Sequence, residues 1–514
     1  MSTMSHPQTD ASRLVIARAA CLLAGALLMA LHAWPCPAQV LTVQEQSLHV
    51  LNRLAYGPRP GDLQQVQRIG ARAYIEQQLN PQRIAMPGDL QARLDALPAY
   101  RMSATQLFNE YGPPSFDRDA DKQDQQAARQ RAARELTPQF HQERIWQATE
   151  SPRQLQEVMT EFWLNHFNVF EGKQWVRYWV GDYEQNAIRP HALGNFRELL
   201  GAVAHHPAML VYLDNWLSSG VNTPGAKGRF KGLNENYARE LMELHTLGVD
   251  GGYQQADVLA LARILSGWTI DLQGMKEGTG PFGFNAQRHD NEAKVLLGRS
   301  VPGRGEQEGE AALDILAGHP ATARFISTLL VQYFVSDRPD PGLVTQLAQT
   351  FLGSHGDIRA VLRVLFDSPQ FWARENYQAQ FKTPYQFVIS SLRASATPVV
   401  NHKPVDGALA QFGMPLYGWL TPEGYNYSQA TWFNADALLR RINFAAGLAG
   451  GRSAIARPDN APMPTAADSP PVDPRRLQQT LGPTITPDIA ARIAAAAPDL
   501  RAALMLGGPS FMKR

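Results

Sequence analysis

Segment after segment of this 514-residue chain places its apolar residues three and four positions apart, and that spacing constrains the fold more than any other feature. Residues 45–56 (EQSLHVLNRLAY) and 61–79 set Leu, Val, Ile and Tyr on one face of a helix, with Gly57-Pro58 and Asn80-Pro81 as stops. The same reading extends to residues 152–170, 196–217, 234–247, 255–268, 309–317, 320–335, 342–352, 357–366 and 383–394. Period-two alternation of β-branched residues is scarce, so strands are expected to be short and peripheral. The expected fold class is mainly α: a large multi-helix globular domain with few or no strands, a Pro-rich linker and a short helical C-terminal segment.

The N-terminus reads as an export signal over residues 1–38. Arg13 and Arg18 precede an apolar run from Ala19 to Trp34, and Cys36-Pro37-Ala38 is a small-x-small site before Gln39. The run is shorter than the roughly 20 apolar residues of a spanning helix; an uncleaved anchor is the alternative. Cleavage after Ala38 removes both cysteines, Cys21 and Cys36. The exported chain then has no disulfide, no Cys-ligated zinc, no iron–sulfur cluster, no c-type haem and no thiol nucleophile. Of 48 basic and 47 acidic residues, Arg13, Arg18 and Asp10 leave with the signal. The balanced remainder provides no positive field for nucleic acid or an anionic membrane. The expected location is periplasmic or secreted, with no stable membrane span after signal removal.

Residues 39–451 form the expected main helical domain. Residues 452–474 are a Pro- and Ala-rich linker, and 475–514 are C-terminal helices docking on that domain. Phe116–Leu136 is charged and Gln/Ala-rich, the composition of a solvated helix or partly disordered arm. Gly220–Gly232 (GVNTPGAKGRFKG) lacks the Gly-Lys-Ser/Thr junction of a phosphate loop and reads as a flexible basic connector. His205-His206-Pro207 and His319-Pro320 read as helix starts.

The densest polar cluster is NENYARELMELHTLG, residues 234–248. On a helix Glu235, Arg239 and Glu243 form an i, i+4, i+8 ladder, Glu240 extends that face, and His245 falls on the apolar side. Candidate catalytic residues are Arg239, Glu240, Glu243, His289 and Asp290: carboxylates for acid–base work, an arginine to orient an anion, and a His-Asp pair in a polar loop. His166, in WLNHF, and His289 are candidate ligands for a divalent metal. A solvated salt-bridge stripe, a core histidine and a surface loop are the plain alternatives. No Gly-x-Ser-x-Gly elbow, Ser-x-x-Lys or His-Glu-x-x-His signature is present.

Taken together, WLNHF (163–167), HPAMLVYLD (206–214), NENYARELMELHTLG (234–248), ARILSGW (262–268) and His289-Asp290 resemble the bacterial family catalogued as domain of unknown function 1800. The resemblance runs from about Leu48 to Leu448 and includes Pro509-Ser-Phe511. It implies a large, mainly helical, usually exported protein, whose relatives are often encoded beside a sulfatase-like uncharacterised protein, a candidate envelope partner. Where the family reads Gly-Tyr-Thr-Gln-x-Asp this chain has GYQQAD at 252–257, without the threonine as a helix cap. Two functions stay open. One is an exported enzyme using Glu/His acid–base or metal-assisted chemistry. The other is a non-catalytic envelope binding or assembly protein whose polar motif is a structural network.

Overall fold

The computed structural model describes residues 40–113, 122–230, 232–459 and 470–514. The expected signal over residues 1–38, with Cys21 and Cys36, lies outside the described residues, as do parts of the expected charged arm and linker. Residues 42–514 form one compact unit. It is mainly helical. No helix among the described residues is long and apolar enough to cross a membrane.

The helices used below are α1 (Val43–Arg53), α2 (Thr137–Glu150), α3 (Gln154–His166), α4 (Phe196–His205), α5 (Glu235–Glu243), α6 (Gln255–Ile264), α7 (Gln307–Ala317), α8 (Pro320–Phe334), α9 (Pro341–Gly353), α10 (Ile358–Asp367), α11 (Pro384–Ser395), α12 (Lys403–Gln411) and α13 (Ala435–Ala449). Their starts are written in the sequence. Thr42 and Glu45 cap α1 reciprocally, as Thr383 and Gln386 cap α11. The two His-Pro pairs do begin helices: His206 accepts from Ala208 N at 3.2 Å and His319 from Ala321 N at 3.1 Å. Without the family's threonine, α6 is capped from inside, Asp257 accepting from Gln254 N at 2.9 Å.

Two expected helices are divided. Residues 61–79 break at Gly70, whose φ of 89° no helix interior adopts. Residues 196–217 break at His206-Pro207, because proline cannot donate into a continuing helix. The strands are short, as expected: β1 (Trp268–Ile270) pairs antiparallel with β2 (Phe282–Phe284), and β3 (Lys294–Leu296) with β4 (Arg299–Val301).

One continuous core runs through the unit, with Trp163, Trp179, Trp268, Tyr183 and Tyr237 fully buried. Helices α8, α9 and α10 pack as successive neighbours. Distant parts of the chain close on one another. His49 Nε2 lies 2.8 Å from Phe371 O, and Arg53 Nη2 donates to Asn376 O at 2.6 Å. At the other end, Lys382 N donates to Met512 O at 2.8 Å, and Phe511 packs against Phe387.

Candidate functional site

Glu157, Glu161 and Asn165 recur every fourth position, so they share one face of α3, a helix otherwise rich in buried apolar residues. Helix α2 brings Glu143 and Arg144 against that face, and residues 183–189 bring Glu184 and Arg189. Arg189 donates to Glu184 Oε1 at 2.7 Å, to Gln185 Oε1 at 2.9 Å and to Glu157. Glu184 Oε2 accepts from the Tyr417 hydroxyl at 2.7 Å and lies 3.5 Å from Arg144 Nη1. The Arg144 guanidinium sits between aromatic faces, 4.9 Å from the centre of Tyr385 and 5.1 Å from that of Tyr417. Glu161 accepts from the Tyr333 hydroxyl at 2.8 Å and from the Tyr427 hydroxyl at 3.4 Å.

Four buried carboxyl groups thus share two guanidiniums, and their protonation follows from that imbalance. Burial raises Glu143 to about 8, with Arg189 opposing and Glu184 and Glu157 adding to the rise. Burial also raises Glu157 and Glu161, although Arg189 works against it at Glu157, and the Tyr333 hydroxyl and Arg144 work against it at Glu161. For Arg144 and Arg189 burial disfavours the cation, but Glu184 with Tyr385 and Tyr417 at Arg144, and Glu157, Glu184 and Glu143 at Arg189, outweigh it and hold both above the ordinary arginine value.

A cavity of about 30 Å³ lies among these groups, lined by Arg144, Glu161, Asn165, Asn168, Tyr417 and Tyr425. That is room for about two water molecules. Residues 414–427 cover it, tied down by carboxamides near the end of α3. Asn165 Oδ1 accepts from Tyr425 N at 2.7 Å, and Asn165 Nδ2 donates to Tyr425 O at 2.9 Å. Asn168 Nδ2 donates to Trp419 O at 3.1 Å and to Thr421 O at 2.9 Å. Gly424 permits this approach: its φ is 71°, and a Cβ there would stand 2.2 Å from Asn165 O.

The residues singled out from sequence are distributed differently. Glu240 and Glu243 share the exposed side of α5, where Glu243 Oε2 accepts from the Tyr253 hydroxyl at 2.8 Å. Burial, with Glu243 and then Glu423 beside it, raises Glu240. Arg239 donates to Gln255 Oε1 at 2.9 Å and lies 3.8 Å from Glu235, one turn away as the ladder predicts. His166 Nε2 lies 3.1 Å from His245 O, among Phe162, Trp163 and Phe167. Burial lowers His166 to about 4 and His245 to about 3, so both rings are neutral at pH 7.

His289 and Asp290 have partners of their own, none of them on α5. His289 Nδ1 lies 2.8 Å from Ser266 O and His289 Nε2 2.9 Å from Glu308 Oε1, with both side chains inaccessible. Lys294 Nζ donates to the other Glu308 oxygen at 2.6 Å. Asp290 accepts from Arg263 Nε at 2.7 Å and borders an open cleft with Asn222, Thr223 and Gln287. These contacts do not join His289 or Asp290 to Arg239, Glu240 or Glu243, the other candidate catalytic residues. Both His289 ring nitrogens face protein oxygens, so as arranged the residue pins the 285–301 segment and leaves no nitrogen for a metal or a substrate. His166 and His289, the metal ligands expected from sequence, share no hydrogen-bond partner.

Sequence reading passed over Arg144, Glu161, Glu184 and Arg189. The signal available was the four-residue recurrence of Glu157, Glu161 and Asn165 within an otherwise apolar helix. A family model described as Protein of unknown function (DUF1800) matches residues 49–513. No curated protein and no solved structure matches the chain.

Proposed function

The chain belongs to the DUF1800 family of proteins of unknown function, and from that premise we propose that it is an exported enzyme working by acid–base chemistry in the cavity beside Arg144 and Glu161. One observation carries the reading: a guanidinium held between two tyrosine rings and a carboxyl group raised by burial line the same small cavity. A carboxyl group so raised keeps its proton nearer to neutral pH and can deliver it to a leaving group. Arg144 would hold the negative charge of a small anionic substrate or of its transition state. Anything larger than a few waters enters when residues 414–427 lift. Glu240 and Glu243, beside Glu423 of that loop, form the acidic rim of the opening in this reading. In this reading residues 1–38 direct export and are removed from the mature chain, and a sulfatase-like envelope protein is the proposed partner.

The test is a panel of ester, glycoside and phosphoester substrates presented to the purified chain, to Glu161→Gln and to Arg144→Met. Turnover on one class, falling about 100-fold or more in both variants, is expected. Glu161→Gln should keep the wild-type fold by circular dichroism. The second reading, a non-catalytic binding or assembly protein, is favoured by a specific observation: tyrosine hydroxyls already occupy both oxygens of Glu161. No turnover on any class, with both variants altering only thermal stability, would establish that reading instead.

A further inference from the structure

Near the start of α2, His141 meets the start of α12 in an arrangement that the cavity does not use. His141 Nδ1 lies 3.0 Å from Asp406 Oδ2, and His402 Nδ1 lies 2.7 Å from the same oxygen. One atom from each of the three residues falls within 4.8 Å of the others. His402 and Asp406 are one helical turn apart, so a single rigid element supplies two of the three donors. On the far side of the His141 ring, Nε2 faces Glu171 Oε2 at 3.9 Å.

A self-contained hydrogen-bond network would use its buried polar atoms, and this one does not. His141 Nε2, Glu171 Oε2 and Asp406 Oδ1 are all buried without a hydrogen-bond partner. We propose that His141, His402 and Asp406 bind a divalent transition-metal ion of the zinc type, with Glu171 orienting the His141 ring. Imidazole nitrogen and carboxylate oxygen bind such an ion at about 2.0–2.2 Å, which sets donor atoms about 3–3.5 Å apart. Asp406 Oδ2, at 3.0 and 2.7 Å from the His141 and His402 Nδ1 atoms, needs to move by only a few tenths of an ångström to reach that spacing from each. Metal binding through Nδ1 leaves Nε2–H to donate to Glu171, so a carboxylate, an imidazole and the ion fall in line. Asp406 Oδ1 could complete the ligand set or hold a metal-bound water. The ion would fasten α12 to α2. Beside it stands Tyr417, whose ring centre is 5.7 Å from that of His141 and whose carbonyl accepts from Glu171 N at 3.0 Å.

The proposal stands apart from the enzyme reading, since its measurements need no substrate. Purified chain stripped with chelator is titrated with ZnCl2 alone by calorimetry, and metal content is measured after dialysis. One equivalent of zinc and a melting temperature raised by several degrees are expected. His402→Gln and Asp406→Asn, both near the surface, should abolish uptake, and Glu171→Gln should weaken it about tenfold. Circular dichroism of each variant confirms that it is folded. Cobalt(II) gives a second readout: visible absorption bands from bound ion in the wild-type chain, missing in His402→Gln. The proposal is overturned by wild-type chain that takes up less than half an equivalent of zinc, or by uptake that folded His402→Gln and Asp406→Asn retain.

Discussion

Arg189 and Glu184 lie 2.7 Å apart in the interior, and each reaches a second partner: Arg189 also holds Glu157, and Glu184 also accepts from Tyr417. The pair therefore joins α3 to the loop over the cavity. Removing one partner of a buried ion pair leaves the other charge without compensation, at a cost of about 3–5 kcal/mol. Arg189→Met should lose stability on that scale, measured by urea unfolding. A loss below about 1 kcal/mol would mean that the carboxylates simply take up protons.

Gly424 tests how firmly the loop is seated. A Cβ at this left-handed position would meet Asn165 O at 2.2 Å. Gly424→Ala should cost about 1–3 kcal/mol. Amide exchange should quicken at residues 414–427 more than in α9, and uniform acceleration would show the loop to be no separate unit.

Glu308 gathers the 285–305 segment into one place. It receives His289, Lys294 and the backbone N–H groups of Arg304 and Gly305, the last two at 2.8 and 3.1 Å. Glu308→Ala should destabilise the chain by about 3–5 kcal/mol, through the same stranding of a buried cation. Proteolysis should cut first between residues 285 and 305, and cleavage elsewhere at the same rate would contradict this role.

Acid should weaken the fold through three buried histidines. Burial holds His49, His166 and His245 at about 3, 4 and 3, below the unfolded value of about 6.5. Between these limits the unfolded chain binds protons that the folded chain refuses. The contribution of these three histidines is thus flat above about pH 6.5 and falls as the pH drops toward 4, while Glu143, held at about 8 in the folded chain, acts in the opposite sense over the same interval. At 1.36 kcal/mol per unit, His166 alone contributes about 3 kcal/mol to that fall. His245 has no hydrogen-bond partner on either ring nitrogen, so His245→Phe should shallow the slope between pH 6.5 and 4 in unfolding titrations. An unchanged slope would exclude His245 as a contributor.

Helix starts were legible because capping is local: Thr42 with Glu45, Asp357 before α10, and His206 and His319 before prolines all act within three residues. The Glu235–Arg239 step of the expected ladder was legible for the same reason, whereas Glu243 turns to Tyr253 instead. What escaped was assembled over distance. Glu161 meets Tyr333 and Tyr427, and His141 meets Asp406, across more than 100 positions of chain. Helical periodicity says which face an atom occupies and not what the fold lays against it. His289 shows the converse: its polar neighbours in sequence suggested an exposed loop, while Ser266 and Glu308 draw its ring wholly inside.

The closure of α1 onto residues 371–376 sets a timetable for synthesis. The carbonyl that meets His49 is made 322 residues later. At about 5–20 residues per second, a ribosome takes on the order of a quarter of a minute to more than a minute to supply it. Throughout that interval the side of the first helix that meets residues 371–376 has no native surface to cover it, although the helices of residues 62–78 already pack beside it. That side of the helix stays uncovered until residues 371–376 emerge.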